Sequence, residues 1–268
     1  MPRARRAALG AGAYGRMFEV MALTTTATNT VPAFLGQASG VVLMAERAGI
    51  GVAASLAVLA QHQAVEGVAK VATLLLAAAI APLPPRAHRT VVAFTVGTAA
   101  LLVVLLVVAR RTPRAPHAGV PHTRRRRLRQ AVATWAVELE ALREPRRLAM
   151  GLAIALLMKL AEAGGHAAVL RALDVRAPVG TPVVALAAVN LASSVAASPG
   201  NVGTYEAGAV FAYRRMGIAP DRAAALALAA HLCYLAPLVG MGWVVLGVRQ
   251  VAGRKGRASE AARVRGGE

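Results

Sequence analysis

Cysteine and charged residues are scarce in this 268-residue chain, and each scarcity excludes a class of protein. The single cysteine, Cys233, excludes an internal disulfide and a metal cluster built around it, and we predict no cofactor. Charged residues make up 16% of the chain and hydrophobic residues 57%, whereas about a quarter of a soluble domain is charged. This balance excludes an ordinary soluble domain and predicts an all-α protein that crosses a membrane several times.

Recognisable catalytic motifs are also missing. The sequence contains no Gly-x-Ser-x-Gly, no Cys/His pairs at metal-binding spacing and no Walker glycine loop. The first fifteen residues carry arginines but no apolar core long enough for a cleaved signal peptide. The sequence therefore favours a non-enzymatic protein, and an intramembrane enzyme stays open as an alternative.

Long apolar segments account for most of the chain. Residues 90–109 are twenty consecutive residues without a charge, and roughly 20 apolar residues cross the hydrocarbon core of a bilayer. We predict one helix there and others in the remaining apolar segments: 18–44, 52–80, 148–170, 181–197, 204–216 and 223–248. The segment 204–216 is too short to cross a bilayer by itself.

Arginines are concentrated outside these segments, in residues 110–147 and after residue 249, and they produce most of the net charge of +19. Because basic loops stay on the cytoplasmic side, this placement predicts topology rather than nucleic-acid binding, and it also attracts anionic lipid headgroups. We predict a surface helix at 128–142 and a disordered basic tail at 249–268. We expect a multi-pass protein of the bacterial inner (plasma) membrane.

A short phrase, Pro-x-x-x-Gly, occurs twice, at Pro32–Gly36 and at Pro199–Gly203. Each copy lies inside an apolar segment and reaches a Gly-Ile pair after a similar interval. Helix breakers at corresponding places in two halves of a membrane protein indicate a binding site between inverted repeats. The sequence therefore predicts a site at these two breaks.

Charge placement gives the predicted organisation of the repeats. We expect one transmembrane domain over residues 1–268, with repeats at 17–109 and 148–248 joined by the cytoplasmic loop 110–147. Each repeat contains a re-entrant or broken-helix hairpin, and the two hairpins enter the membrane from opposite faces. Two full short spans in place of a hairpin would return the chain to the same side and would fit the charge placement equally well. The first hairpin has no preceding span, which a missing N-terminal span would explain.

The candidate site combines residues of both phrases. Gly36, Gly200 and Gly203 permit positive φ and close backbone approach, and N–H groups at a hairpin tip can bind a phosphate. We expect the partner to be membrane lipid, either an anionic phospholipid or a lipid phosphate; the oligomeric state is left open. The candidate lipid-binding residues are Pro32, Gly36, Gln37, His62, Pro199, Gly200, Gly203, Glu206 and His231.

The titratable candidates each allow two interpretations. Glu206 is costly inside an apolar segment, so it contacts a cationic headgroup or a proton, or else it pairs with Arg214 or Arg215 at the interface. His62 and His231 occupy similar places in the two repeats and are either core residues or site residues.

Two further pairs of opposite charge occur at helical spacing. Glu66 and Lys70 are four residues apart, and Lys159 and Glu162 are three apart, so each pair shares one helix face and neutralises itself. Whether these pairs also line a polar cavity is left open. Asn190 is a candidate for a hydrogen bond between helices.

The phrase at 199–206, Pro-Gly-x-x-Gly-x-x-Glu, followed by Gly-Ile and an alanine-rich helix ending in Pro and Gly, resembles a known family. It is similar to the transmembrane domain of lysylphosphatidylglycerol synthases, which includes stand-alone, flippase-like membrane proteins. The resemblance covers roughly residues 20–248. It implies membrane-lipid handling by translocation, or an accessory role in lipid modification. The soluble aminoacyl-transferring domain of full-length synthases is not expected here.

The chain departs from the family pattern mainly in its first half. Gln37 stands where the family usually has Glu, Gly40 stands near its Arg, and Gln61-His62 replaces a common Glu-Arg pair. In the second half, His231 stands where Arg is common. The alternatives to lipid translocation are an intramembrane enzyme or subunit in envelope lipid or glycolipid synthesis, and a proton-coupled secondary transporter of a small solute.

Overall fold

A computed structural model describes residues 3–47, 49, 51–81, 85–111, 144–194 and 198–265 of the chain. These residues contain eight α-helices and no strand, so the predicted all-α class is confirmed. The helices are α1 (Arg3–Thr30), α2 (Ala33–Arg47), α3 (Val52–Ile80), α4 (Pro85–Arg111), α5 (Pro145–Ala172), α6 (Thr181–Ser193), α7 (Thr204–Arg215) and α8 (Pro220–Arg265). A short 3₁₀ turn, Pro199–Asn201, lies between α6 and α7.

Four helical stretches in the described residues are long and apolar enough to cross a membrane. They are Val52–Ile80, His88–Val108, Pro145–Ala172 and Pro220–Gln250. Each exceeds the roughly 20 residues that a bilayer core requires. The spans predicted at 52–80, 90–109, 148–170 and 223–248 are therefore confirmed as helices of sufficient length.

The end of α8 differs from the sequence prediction. The helix continues through Pro237 and reaches Arg265, whereas we predicted a disordered tail from residue 249. The segment beyond residue 249 is rich in alanine and arginine, which are strong helix formers. The predicted surface helix at 128–142, with most of the loop 110–147, lies outside the described residues.

The chain divides into two compact units that do not coincide with the predicted repeats, which remain a prediction. The first unit comprises Met1–Gly49, Ser198–Gly200 and Tyr234–Glu268, and the second comprises Ile50–Ala197 and Asn201–Cys233.

In the first unit, α1 and α2 form a hairpin broken at Val31–Pro32, where proline cannot donate the next helical hydrogen bond. Gly36 lies inside α2, where its φ is not positive. Its role is close packing, because a Cβ on Gly36 would overlap the backbone of Thr28. Small residues allow this approach between membrane helices.

The polar run in α1 is satisfied mostly by its own helix. The hydroxyls of Thr24 and Thr28 donate to the carbonyls four residues earlier, at 2.7 and 2.8 Å. Thr26 Oγ1 lies 3.1 Å from the carbonyl oxygen of Leu238 in α8. Glu19 pairs with Arg47 of α2 and with Arg249 of α8. These contacts explain how an apolar hairpin accommodates threonines and a glutamate.

In the second unit, the core lies among α6, α7 and the start of α8, with α3, α4 and α5 contributing to it. Tyr213 and Leu226 are fully buried there. The hairpin of α6 and α7 is tightly packed, since a Cβ on Gly208 would lie 2.8 Å from the carbonyl oxygen of Ala188. This packing fixes the orientation of α7, which carries Glu206.

Candidate functional site

The break between α6 and α7 uses backbone conformations that favour glycine. φ is +60° at Gly200 and +88° at Gly203, and Asn201 also has a positive φ of +56°. Pro199 begins the 3₁₀ turn. Only glycine adopts this region without a steric penalty from Cβ, so the expected positive φ at Gly200 and Gly203 is confirmed. The backbone therefore reverses direction here and α7 begins at Thr204.

Gly200 also lies close to the first hairpin. A Cβ on Gly200 would lie 3.0 Å from the carbonyl oxygen of Asn29, near the end of α1, and 3.4 Å from a methyl of Leu235. Within the first unit, the turn at Pro199–Gly200 therefore packs near the Val31–Pro32 break. Gln37 is half-buried on α2.

Glu206 is the third residue of α7, and its side chain folds back to the start of this helix. Its Oε2 accepts a hydrogen bond from the Gly203 N–H at 2.7 Å, and its Oε1 lies 2.7 Å from Nδ1 of His231 on α8. A carboxylate at the third helical position commonly satisfies the N–H of the residue that begins the helix. We call Gly203, Glu206 and His231 the hairpin site.

This geometry changes the expected chemistry of the break. We expected free N–H groups there to bind a phosphate, but the Gly203 N–H is paired with the protein's own carboxylate. The Glu206 side chain is 26% exposed and carries a negative charge. The hairpin site therefore presents a carboxylate rather than free N–H groups.

Glu206 lies outside the four candidate spans, and its environment favours the ionised carboxylate. Burial raises the pKa of the carboxyl, but the hydrogen bond with His231 and those from the backbone N–H groups of Glu206 and Gly203 lower it more. The pKa of Glu206 therefore lies below its ordinary value. The carboxylate remains charged at neutral pH.

A row of buried aromatic and imidazole rings supports the hairpin site. The ring of Tyr205 stacks on His231 at 4.2 Å, with 9° between the planes. On its other side, the Tyr205 hydroxyl lies 3.5 Å from Nε2 of His166 on α5. His166 Nδ1 lies 2.8 Å from the Tyr213 hydroxyl. Burial raises the pKa of that hydroxyl, so it remains protonated.

Sequence reasoning did not select His166, Tyr205 or Tyr213. Tyr205 and Tyr213 are eight residues apart and share one face of α7, and Tyr205 is adjacent to Glu206. That spacing was the available signal. Nothing local in the sequence indicated that His166 lies between the two tyrosines.

A second polar cluster lies between α3 and α5. The two predicted pairs are both present: Lys70 lies 3.0 Å from Glu66, and Lys159 lies 2.9 Å from Glu162. Lys159 also reaches Glu66 at 3.7 Å, so the two pairs form one network. His62 lies 3.4 Å from Glu66. We call these five residues the Lys159 cluster.

The Lys159 cluster borders a cavity of about 300 Å³. The wall includes His62, Glu66 and Lys159, together with apolar residues of both helices and Arg147 near the start of α5. One member of each pair, Glu66 and Lys159, therefore lines this cavity, whereas Lys70 and Glu162 are not part of its wall. His62 belongs to this cluster and His231 to the hairpin site, so their similar places in the sequence put them in different polar environments.

Several buried polar atoms on the second hairpin have no hydrogen-bond partner among the described residues. They are Oγ1 of Thr181, Nδ2 of Asn190, Oγ of Ser193 and Oγ of Ser198. Three of the four lie in the stretch that leads from α6 into the break. The expected hydrogen bond from the Asn190 amide nitrogen to another helix is not formed within the described part of the chain.

Comparison with known proteins identifies the family. The family model of the lysylphosphatidylglycerol synthase TM region matches residues 9–242, which is most of the chain. Comparisons with curated proteins and with solved structures find no match. The matched residues include the hairpin site and the first three candidate spans. They also include the fourth span, Pro220–Gln250, as far as residue 242. The chain thus belongs to the family of the lysylphosphatidylglycerol synthase TM region, and it is a multi-pass membrane protein with a lipid-related function.

Proposed function

We propose that this protein moves membrane lipid between the two leaflets of a bacterial inner membrane, as a flippase-like protein. The observation that carries the proposal is the ionised Glu206, which is held by Gly203 and His231 at a break between apolar helices. A charged group beside apolar helices is costly, and it is retained where a polar ligand is bound. Membership of the family supports a lipid as that ligand.

Each residue of the proposed site has a role in this account. Pro199 and Gly200 form the turn, and Gly203 directly precedes α7. Glu206 contacts a cationic group on the lipid headgroup, while Gly203 and His231 hold its two carboxylate oxygens. The polar atoms of Asn190 and Ser193, which have no partner among the described residues, support a polar ligand close to the end of α6. Pro32, Gly36, Gln37 and His62, which were also predicted from the sequence, remain candidate lipid-binding residues.

The two hairpins are proposed to enter the membrane from opposite faces, within one transmembrane domain. Cysteine labelling tests this arrangement in a background in which Cys233 is replaced by alanine. Gly36 and Gly200 are unsuitable positions, because a Cβ at Gly36 would overlap Thr28 and Gly200 has a positive φ. Leu35, 50% exposed, and Val202, 61% exposed, are the better positions.

We expect Leu35→Cys to react with an impermeant maleimide from the cytoplasmic face and Val202→Cys from the opposite face, since each hairpin opens to its own side. Sealed inside-out and right-side-out vesicles are compared, and detergent-solubilised protein is the control for intrinsic reactivity. Reaction of both cysteines from one and the same face would contradict the inverted arrangement.

Lipid translocation in proteoliposomes tests the proposed function. Purified full-length protein is reconstituted with a phospholipid labelled on one acyl chain, and an impermeant reductant destroys the fluorescence of the outer leaflet. We expect the remaining fluorescence to decay faster than in protein-free vesicles. An equal decay would overturn the proposal.

The same preparation separates the alternatives. Uptake of a soluble solute driven by a pH gradient, with no lipid movement, would favour a proton-coupled transporter. Chemical conversion of a lipid in detergent, without a bilayer, would favour an intramembrane enzyme. The contact between His231 Nδ1 and Glu206 Oε1 gives the transporter alternative its strongest support.

A further inference from the structure

Helix α7 has a second face that the hairpin site does not use. Ala207, Phe211 and Arg214 follow one another at four and three residues, so they lie on one side of the helix. Tyr205 and Tyr213 lie on a different side, toward the buried rings. Phe211 is 46% exposed, and Ala207 and Arg214 are exposed.

This face borders an apolar cavity of about 400 Å³ in the second unit. The wall is formed by α3, α4, α6 and α7 and includes Leu74, Val91, Ala188, Leu191, Ala207 and Phe211. Thr90 is the one residue of the wall with a polar side chain. The volume lies within the range of about 300–1,000 Å³ that is typical of small-molecule sites.

An apolar chain is the occupant that this wall fits. A buried water needs about 2–4 polar partners, and a wall of alanine, valine, leucine and phenylalanine does not supply them. The helices α3 and α4 contain candidate membrane spans, so the surrounding medium is hydrocarbon. The acyl chain of a neighbouring lipid is the apolar group available at highest concentration.

An open, cationic hollow on the surface of α7 adjoins the cavity. It has a volume of about 440 Å³, shares Ala207 and Phe211 with the apolar wall, and ends at Arg214 and Arg215. Arginine binds phosphate through two parallel hydrogen bonds. Cations at the end of a helix also stabilise its dipole, but that effect does not require an adjoining apolar cavity.

We infer that the Ala207 face of α7 is a specific binding site for an anionic phospholipid, with one acyl chain in the apolar cavity and the phosphate on Arg214 and Arg215. The site is separate from the hairpin site and has the opposite charge preference. It stands whether or not Glu206 takes part in lipid movement.

Lipid binding to the detergent-solubilised full chain tests this inference. Phosphatidylglycerol is titrated and retained lipid is measured by native mass spectrometry. Ala207→Trp fills the cavity and Arg214→Gln/Arg215→Gln removes the charge; the matched controls are Ala224→Trp and Arg222→Gln, at exposed positions of α8 outside both walls. Thermal unfolding verifies that each variant is folded.

We expect each test variant to weaken phosphatidylglycerol binding by about tenfold or more, which corresponds to the loss of one good interaction, and the controls to bind like the wild type. Phosphatidylcholine is expected to bind more weakly than phosphatidylglycerol. Equal binding by wild type and test variants would overturn the site. If inorganic phosphate alone displaced phosphatidylglycerol, the assignment of an acyl chain to the cavity would be overturned. If a polyprenyl phosphate displaced it at a lower concentration than a phospholipid does, the phospholipid would be overturned as the occupant.

Discussion

Replacing Glu206 by glutamine is expected to reduce lipid translocation in proteoliposomes to nearly the rate of protein-free vesicles. The glutamine carbonyl still accepts the hydrogen bond from Gly203 N–H, so the start of α7 is retained, but the negative charge is lost. A hydrogen bond to a charged group contributes roughly 1.5–3 kcal/mol, and its loss corresponds to a rate about 10- to 150-fold lower. The initial rate of fluorescence decay measures the effect.

The matched control for this prediction is Asp221→Asn, which removes one negative charge from the exposed first turn of α8. It is expected to translocate lipid at the wild-type rate. Thermal unfolding and size-exclusion profiles verify that Glu206→Gln is folded. A folded Glu206→Gln protein with wild-type activity would remove Glu206 from the proposed mechanism.

Replacing Lys159 by methionine is expected to destabilise the protein more than any single change on its surface. Lys159 is buried and lies between the carboxylates of Glu66 and Glu162, at 3.7 and 2.9 Å. Removal of the Lys159 cation leaves Glu162 without this ion-pair partner. Glu66 keeps its contacts with Lys70 and His62. Breaking a buried pair in this way costs about 3–5 kcal/mol.

We expect the lower end of that range, because the two carboxylate side chains are 27% and 23% exposed. For a domain of this size, roughly 3 kcal/mol lowers the midpoint of thermal unfolding by about 6–12 °C. The double variant Lys159→Met/Glu162→Gln should recover part of the loss, since it removes the uncompensated charge. Arg222→Met, at an exposed position, is the control. An unchanged midpoint in Lys159→Met would show that the cluster is not structural.

Local patterns were sufficient for much of this structure. Hydropathy gave the spans, because the length of an apolar run is set by the thickness of the bilayer. Proline and glycine marked the two helix breaks, and spacings of three and four residues identified the pairs Glu66–Lys70 and Lys159–Glu162. Each of these features depends on residues that are close in the sequence.

The long-range contacts were beyond that reasoning. His231 lies 25 positions after Glu206, and the Lys159–Glu66 contact joins α3 to α5, which are not consecutive in the sequence; neither contact follows from helical periodicity. Gly36 was assigned to a turn because its motif matches the second copy, but α2 begins at Ala33 and Gly36 lies inside it, close to Thr28. The continuation of α8 was missed because the charge of its last residues outweighed their helix propensity in the prediction.

Lipid movement by the wild-type protein is measured as the rate at which an acyl-labelled phospholipid crosses a reconstituted bilayer. The rate is measured against protein-free vesicles prepared from the same lipid batch, at several ratios of protein to lipid. The account predicts a rate that rises in proportion to the amount of protein and stays above the protein-free rate throughout. A rate that matches protein-free vesicles at every ratio would contradict it.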